Sequence, residues 1–242
     1  MAEPLWAFEA DDGSHSFAVD VDDPGALLGG GAYGAVYAAT LHGRQVAAKT
    51  LHMLKDPAMY GLVGRDAEPG ALNSVLAMFE TEVMALAAVD HPNILRFIGV
   101  GYSAATAALP RLPKWIVTEI MPHSLHSYLR QPGVGDAMSM WDVACVGMDL
   151  ADGLAYLHGR GIIHRDLKPK NVLLGPSGAK LGDLGTAKMI GAAAATAQHT
   201  VGPGTAIYHP PEVLTGDYTA AIDVFGLGLC ESGVGRLLSP WQ

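Results

Sequence analysis

The spacing of apolar and polar residues divides the chain into a strand-rich first half and a helical second half. Residues 27–49 alternate as a glycine-rich β-hairpin, and two further strands are predicted over residues 94–101 and 115–120. Apolar side chains at a spacing of three to four residues predict helices over residues 76–89 and 140–158. One main helix is therefore expected among the strands, followed by a mainly helical region.

Local composition predicts the remaining segments. Residues 1–22 form a polar, acidic lead-in, and residues 52–75, which contain several prolines and glycines, are expected to be a mobile insertion. Short apolar patterns indicate further helices that start at Leu125 and near Tyr218. The sequence assigns no role to the insertion.

Composition and charge exclude several classes of protein. The 242 residues include 15 Lys+Arg against 24 Asp+Glu, a formal net charge of −9, and no basic stripe, which argues against nucleic-acid binding. No apolar run reaches about 18 residues without charges, and the acidic N-terminus does not resemble a signal peptide, so no membrane insertion is expected. The two cysteines are expected to be free thiols. A soluble, intracellular, cytoplasmic protein is the expectation.

A glycine-rich hairpin precedes a lysine at the end of a strand. Gly29, Gly31 and Gly34 have the spacing of loops that bind phosphates, because backbone N–H groups approach a ligand closely where side chains are absent. The same spacing opens dinucleotide-binding folds, but those require a helix directly after the glycines. Here a second strand follows, and it ends at Lys49. The hairpin therefore argues against a dinucleotide-binding oxidoreductase and for a loop that covers phosphates.

A dense polar loop lies between two apolar runs at Ile162–Leu174. Asp166 and Asn171 are five residues apart and could face one site as a base and a metal ligand, while Lys168 could neutralise developing negative charge. A surface loop without a function would also produce such a cluster, although less often. The sequence IIHRDLKPKNVLL resembles the catalytic loop of eukaryotic protein kinases, and the lysine two residues after Asp166 resembles the serine/threonine type. The stretches HPNILRFIGVG and IVTEIMPHSLHSYL are most similar to the tyrosine-kinase-like branch.

This resemblance implies an α+β, two-lobed protein kinase-like fold. The N-lobe, expected over residues 23–119, would contain a small antiparallel β-sheet and one main helix. The C-lobe, expected over residues 120–242, would be mainly helical and incomplete at its C-terminus, because the pattern stops after the anchoring helix. Asp223 in that helix would hydrogen-bond to the backbone of the catalytic loop. The missing helices would leave the Glu212 carboxylate buried without its usual arginine, and one apolar face of the anchoring helix exposed.

The resemblance also implies ATP and Mg²⁺ as cofactors. The nucleotide-binding positions would be Leu28, Gly29, Gly30, Gly31, Gly34, Val36, Ala47, Lys49, Thr118, Glu119, Met121, Leu173 and Asp183. Lys49 would contact the α- and β-phosphates and pair with a glutamate of the main helix, for which Glu82 is preferred over Glu80. Asn171 and Asp183 would be the magnesium ligands.

By the same resemblance, the polar loop would carry out phosphoryl transfer. Asp166 would accept or steer the hydroxyl proton of a serine or threonine in a protein substrate, and Lys168 would contact the γ-phosphoryl group. Thr196 and Thr200 are the candidate targets of an upstream kinase, and Arg165 is the residue that would pair with the added phosphate.

Two functions are compatible with this resemblance. The first is a serine/threonine protein kinase that transfers the γ-phosphate of ATP to Ser/Thr hydroxyls of protein substrates. The second is a catalytically impaired, kinase-like module, a fragment or pseudokinase, that binds nucleotide or protein. Intact Lys49, Asp166, Asn171 and Asp183 favour the first function, and the missing helices favour the second.

Overall fold

The computed structural model describes residues 25–30, 34–55, 70–102, 112–131, 138–189, 208–214 and 219–237. The chain divides into two compact units, one with the limits Met1–Ala88 and Arg96–Ile120, the other with the limits Val89–Leu95 and Met121–Gln242. The acidic lead-in and the candidate residues Gly31, Thr196 and Thr200 lie outside the described residues. The lobe boundary expected at residues 119 and 120 stays a prediction.

Five antiparallel strands and one long helix make up the described part of the first unit. Its elements are β1 (Leu27–Gly30), β2 (Gly34–Leu41), β3 (Arg44–Leu51), α1 (His52–Lys55), α2 (Ala71–Ala87), β4 (Phe97–Tyr102) and β5 (Pro113–Glu119). The strand order is β1-β2-β3-β5-β4, and every neighbouring pair is antiparallel. The two strands predicted after the main helix therefore form, with limits shifted by up to three residues.

The two faces of this sheet carry different kinds of side chain. Val36 lies opposite Lys49, and Ala47 lies opposite Thr118, so the alternation of side chains along β3 places all four on one face. An apolar cluster occupies the other face and consists of Leu41, Val46, Ala48, Trp115 and Val117. One face of the sheet thus forms the core, and the other collects residues predicted to bind a nucleotide.

Helix α2 begins earlier than its apolar spacing indicates. It starts at Ala71 rather than at residue 76, directly after Gly70, whose φ of 86° is readily adopted by glycine. Its buried apolar side chains are Val75, Phe79, Val83 and Leu86. The prediction of an insertion over residues 52–75 is wrong at both ends, because α1 and the first turn of α2 occupy them. Residues 56–69 lie outside the described part.

Helices and short strands make up the described part of the second unit. Its elements are β6 (His123–Ser124), α3 (Leu125–Leu129), α4 (Met140–Gly159), β7 (Ile162–Ile163), β8 (Val172–Gly175), β9 (Gly178–Leu181), β10 (Lys188–Met189), α5 (Ala221–Leu237) and two 3-10 helices, Leu184–Thr186 and Pro211–Leu214. Strands β6, β8 and β9 form an antiparallel sheet, and β7 pairs with β10. The polar loop that the sequence singles out connects β7 to β8.

Helix α4 is the central helix of this unit, and it follows the predicted limits within one residue. A capping box starts it, because Ser139 Oγ accepts the Asp142 N–H while the Asp142 carboxylate accepts the Ser139 N–H. Its buried apolar face consists of Val143, Leu150, Leu154 and Leu157. Gly153 lies on the same face, where a Cβ would come within 2.9 Å of both Asn93 O and Leu181 Cδ1. Close packing therefore requires glycine at this position.

The anchoring helix α5 begins at Ala221, three residues after the predicted start. Val224 is 60% exposed and Phe225 is 41% exposed, as expected for a helix with an uncovered apolar face. Glu212 is exposed, so the prediction of a buried carboxylate is wrong. The residue lies in the first turn of a short 3-10 helix, from which its side chain reaches solvent.

Two compositional expectations concern thiols and membrane segments. Both cysteines are free; Cys230 is buried and Cys145 is partly exposed. Across the ranges that the structure describes, every helix is too short or too polar to cross a bilayer.

Candidate active site

An ion pair joins β3 to α2 in the first unit. Lys49 Nζ lies 2.6 Å from Glu82 Oε1, and the two side chains are 23% and 5% exposed. The prediction that Lys49 contacts Glu82 rather than Glu80 is therefore confirmed. A partly exposed pair contributes little to stability, but it fixes the position of the ammonium group.

The predicted nucleotide positions of the first unit fall on four strands of its sheet. Leu28, Gly29 and Gly30 lie on β1, Gly34 and Val36 on β2, Ala47 and Lys49 on β3, and Thr118 and Glu119 on β5. A Cβ on Gly34 would overlap the carbonyl oxygen of Thr50, whereas a Cβ on Gly29 would meet no atom within 4 Å. Packing within the sheet therefore requires a glycine at position 34. At position 29 the surrounding space would also admit a side chain.

The end of β5 is fixed by hydrogen bonds to Arg96. The Glu119 N–H donates to the Arg96 carbonyl over 3.0 Å, and the Arg96 N–H donates to Glu119 Oε1 over 2.8 Å. Thr118 Oγ1 donates to the carbonyl oxygen of Glu119 over 3.2 Å. Met121 belongs to the second unit, where its side chain packs against Gly175. Recognition of an adenine edge by the Glu119 and Met121 backbone stays a prediction.

The polar loop of the second unit places a lysine and an asparagine around the Asp166 carboxylate. Lys168 Nζ lies 2.5 Å from Asp166 Oδ2, and Asn171 Nδ2 donates to both Asp166 O and Asp166 Oδ2, over 2.8 and 3.1 Å. Asp166 is 8% exposed and Asn171 6%. Because the amide nitrogen of Asn171 makes both bonds, its amide oxygen points elsewhere and suits a hard cation.

His164 supports this loop from below. The residue is fully buried; its Nε2 lies 3.0 Å from the Gly182 carbonyl oxygen, and its Nδ1 accepts the Asp166 N–H over 3.3 Å. A carbonyl can only accept, so the ring carries its proton on Nε2. These contacts fit the prediction of a structural rather than an acid–base role for His164.

Asp223 of α5 anchors the backbone of the loop. Its Oδ2 accepts the His164 N–H over 2.9 Å, its Oδ1 accepts the Arg165 N–H over 2.8 Å, and its side chain is 1% exposed. The predicted hydrogen bonds from Asp223 to the loop are therefore confirmed. Arg165 has a φ of 68°, a strained conformation for a side chain of this size, and Asp223 holds its N–H in place.

The charge of Asp223 is stabilised although the group is buried. Burial by itself would raise the pKa of Asp223, but the hydrogen bond from His158 Nε2 at 2.8 Å, the His164 ring and the two backbone N–H groups together lower it below the ordinary carboxyl value. Asp223 is therefore ionised at neutral pH and accepts hydrogen bonds through both oxygens.

Asp183 lies directly after the glycine that contacts His164. It has a φ of 58° and precedes the 3-10 helix Leu184–Thr186, in which Leu184 is fully buried. Leu173 of β8 packs against Gly182, since a Cβ there would come within 2.9 Å of Leu173 Cδ1. Leu184 therefore fills a fully buried position next to Asp183.

The oxygens of Asn171 and Asp183 suit magnesium in type. Mg²⁺ prefers oxygen ligands, and it commonly takes one or two protein side chains together with phosphate oxygens. Among the residues that the structure describes, no group of three or more His, Cys, Asp or Glu side chains could hold a metal ion. The magnesium roles of Asn171 and Asp183 stay predictions.

Arg165 is the predicted partner of a phosphorylated threonine. Its side chain is 8% exposed, and its Nε donates to the Thr186 carbonyl oxygen over 2.5 Å. Thr186 Oγ1 in turn donates to the His164 carbonyl over 3.1 Å. Because Thr196 and Thr200 lie outside the described residues, their pairing with Arg165 stays a prediction.

The sequence analysis did not single out two histidines close to this site. His209 Nε2 lies 3.9 Å from Asp166 Oδ1, and His158 Nε2 lies 2.8 Å from Asp223 Oδ2. His209 directly follows Tyr208 in the segment that leads to Pro210-Pro211-Glu212. This position in the sequence was the one feature that could have identified His209 as a site residue. His158 is the penultimate residue of α4, 65 positions before Asp223, so only the fold brings the two together.

Comparison with known proteins identifies the family to which this chain is similar. The family model of the protein kinase domain matches residues 23–234. The chain is 32% identical over 228 residues to the probable serine/threonine-protein kinase kinY of Dictyostelium discoideum, covering 87% of this chain and 36% of that protein.

Two further relatives come from animals and plants. The chain is 31% identical to the serine/threonine-protein kinase mos of Gallus gallus, covering 84% of this chain and 58% of that protein. It is 33% identical to the serine/threonine-protein kinase STY46 of Arabidopsis thaliana, covering 88% of this chain and 33% of that protein. The chain thus spans less than two thirds of the length of each of these three relatives. With a family match over most of its length and an α+β fold of the same class, the chain belongs to the protein kinase domain family.

Proposed function

We propose that this chain is a serine/threonine protein kinase that transfers the γ-phosphate of ATP to Ser/Thr hydroxyls of protein substrates. The observation that carries the proposal is the arrangement around Asp166, whose carboxylate contacts Lys168 and Asn171 at 2.5 and 3.1 Å. Phosphoryl transfer needs mainly positioning and charge neutralisation, and this cluster offers a carboxylate, an ammonium group and an amide oxygen within one loop.

In this proposal each side chain of the loop has one task. Asp166 orients the acceptor hydroxyl and takes its proton, and Lys168 neutralises charge on the transferred phosphoryl group. Asn171 and Asp183 would hold Mg²⁺, which would neutralise negative charge on the phosphate oxygens. The ion pair with Glu82 fixes the Lys49 ammonium for the α- and β-phosphates of ATP.

Regulation and location extend the same proposal. An upstream kinase would phosphorylate Thr196 or Thr200, and the added phosphate would pair with Arg165, which is already held by Thr186. The serine/threonine names of the relatives support a hydroxyl acceptor of this type in a protein substrate. We place the protein in the cytoplasm, in keeping with its free cysteines.

The test is transfer of radiolabelled γ-phosphate from ATP/Mg²⁺ onto a generic Ser/Thr protein substrate. Asp166→Asn keeps the size of the side chain and removes its charge, and we expect it to lower the rate by at least about a hundredfold. Asp152→Asn is the matched control, because Asp152 is exposed on α4 and undergoes the same change of charge.

Nucleotide binding and thermal unfolding of each variant complete the experiment. We expect Asp166→Asn to bind ATP and to remain folded, so that loss of transfer reports the reaction step. Equal rates for Asp166→Asn and wild type would refute the assignment of Asp166. A folded wild type that binds ATP and transfers no phosphate would favour the kinase-like binding module instead.

A further inference from the structure

Two stretches of the second unit carry excess positive charge in an acidic chain. Residues 121–131 and 164–175 contain Arg130, Arg165, Lys168 and Lys170, with Asp166 as their only carboxylate. The whole chain, by contrast, has a formal net charge of −9. Lys168 contacts Asp166, and Arg165 is directed to the Thr186 carbonyl, so these two side chains belong to the loop itself.

Arg130 and Lys170 differ from the other two cations because both are exposed. Within the described part of the chain, neither makes a salt bridge. They belong to neighbouring segments, because the His126 N–H in α3 donates to the Pro169 carbonyl over 2.9 Å. His126 and Arg130 are four residues apart, which places them on the same side of α3.

The hydrogen bond between His126 and Pro169 brings the two exposed cations near the same side chain, His126. The pKa of His126 is lowered first by burial and then by the positive charges of Arg130 and Lys170. Arg130 also opposes the rise that burial causes in the pKa of Tyr208. Tyr208 precedes His209, whose Nε2 lies 3.9 Å from Asp166 Oδ1. The field of Arg130 thus reaches the segment that borders the catalytic carboxylate.

We propose that Arg130 and Lys170 form a basic patch that selects protein substrates with aspartate or glutamate side chains near the Ser/Thr acceptor. This inference rests on the proposed kinase function and names the substrate class of the same site. Neighbouring cations repel each other when, as here among the described residues, no salt bridge to a carboxylate neutralises them, and an acidic peptide would relieve that repulsion.

The separation of Lys170 from Asp166 in the polar loop limits how far the acidic residue of a substrate can lie from its Ser/Thr acceptor. Lys170 follows Asp166 by four positions, so their Cα atoms are at most about 14 Å apart, which is the span of roughly four extended residues. The acidic residue is therefore expected within about four positions of the acceptor. Exposed ion pairs are individually weak, worth up to about fivefold in affinity each, and they weaken with salt.

The test measures binding of three fluorescent peptides to the full 242-residue chain by anisotropy at low ionic strength. All three contain the same serine, flanked by aspartate and glutamate, by lysine and arginine, or by neutral residues. Arg130→Glu and Lys170→Glu reverse the charge of the patch. Arg44→Glu makes the same change at an exposed position in the first unit and serves as the control.

We expect the acidic peptide to bind about five- to tenfold more tightly than the basic peptide, with each patch variant lowering this ratio about fivefold. Arg44→Glu should leave the ratio unchanged. Equal binding of the three peptides, or an equal effect of Arg44→Glu, would overturn the proposal.

Phosphate transfer to the same peptides separates this inference from the proposed function. Selective binding of the acidic peptide without transfer to any peptide would support the patch and refute kinase activity. Transfer to all three peptides at equal kcat/KM would support kinase activity and refute the patch.

Discussion

Replacement of Asp223 by asparagine tests how the polar loop between β7 and β8 is held. The substitution keeps the shape of the side chain and removes its charge at a position that is 1% exposed. The carboxylate accepts three hydrogen bonds, from the backbone N–H groups of His164 and Arg165 and from His158 Nε2, over 2.8 to 2.9 Å. Asparagine offers one oxygen and one NH₂ group in the same space.

Either orientation of the new amide leaves one buried backbone donor facing an NH₂ group. An unsatisfied buried N–H costs about 1–3 kcal/mol, and the remaining bonds lose charge assistance worth about 1 kcal/mol each. The expected loss in the free energy of unfolding is therefore about 2–5 kcal/mol. This is a large fraction of the roughly 5–15 kcal/mol that is typical of a folded domain.

Urea unfolding followed by far-UV circular dichroism measures the loss, with Asp152→Asn as the control for an exposed carboxylate. Hydrogen exchange at the His164 and Arg165 amides gives the local readout, because these are the two N–H groups that Asp223 binds. We expect faster exchange at both positions in Asp223→Asn and no change in Asp152→Asn. A difference between the two variants below about 0.5 kcal/mol, the usual range for surface substitutions, would refute the reasoning.

Two further predictions concern pH and packing. The pKa of Asp223 in the folded chain is below its ordinary value of 3.8, so the charged group stabilises the fold fully above that value and loses this effect as the pH falls through the folded pKa. The difference in the free energy of unfolding between wild type and Asp223→Asn should therefore decrease in acid titrations. A difference that stays constant with pH would contradict this reasoning. Gly153→Ala should lower the free energy of unfolding by about 1–3 kcal/mol in urea titrations, because its Cβ would lie 2.9 Å from the Asn93 carbonyl; unchanged stability would show that α4 can shift without cost.

The sequence predicted individual elements best where a local pattern was strong. Helix α4 matches its prediction within one residue because its apolar spacing, its capping serine and its terminal glycine agree. The start of α2 was predicted five residues late, since Ala71–Val75 has little periodic contrast and Gly70 sets the boundary. The burial of Glu212 was predicted from the family pattern and is wrong, because exposure depends on what packs around a residue.

The candidate site divides in the same way. Lys49, Asp166, Asn171 and Asp183 stand in motifs with fixed spacing, so the sequence could select them without any coordinates. The resemblance to protein kinases favoured Glu82 over Glu80, and the contact to Lys49 agrees. His209 stands in none of the motifs considered above, and only the structure shows that it lies close to Asp166.

By itself the sequence determined the family, the order of the main strands and helices, and the candidate catalytic residues of the polar loop, because each depends on residue types at short, fixed separations. Only the tertiary structure decided which partners hold those residues. Asp223 lies 59 positions from His164, yet its carboxylate binds the backbone of the loop. His158 contacts Asp223 across 65 positions of the sequence. Such contacts depend on how helices pack, and no local pattern in the sequence records that packing.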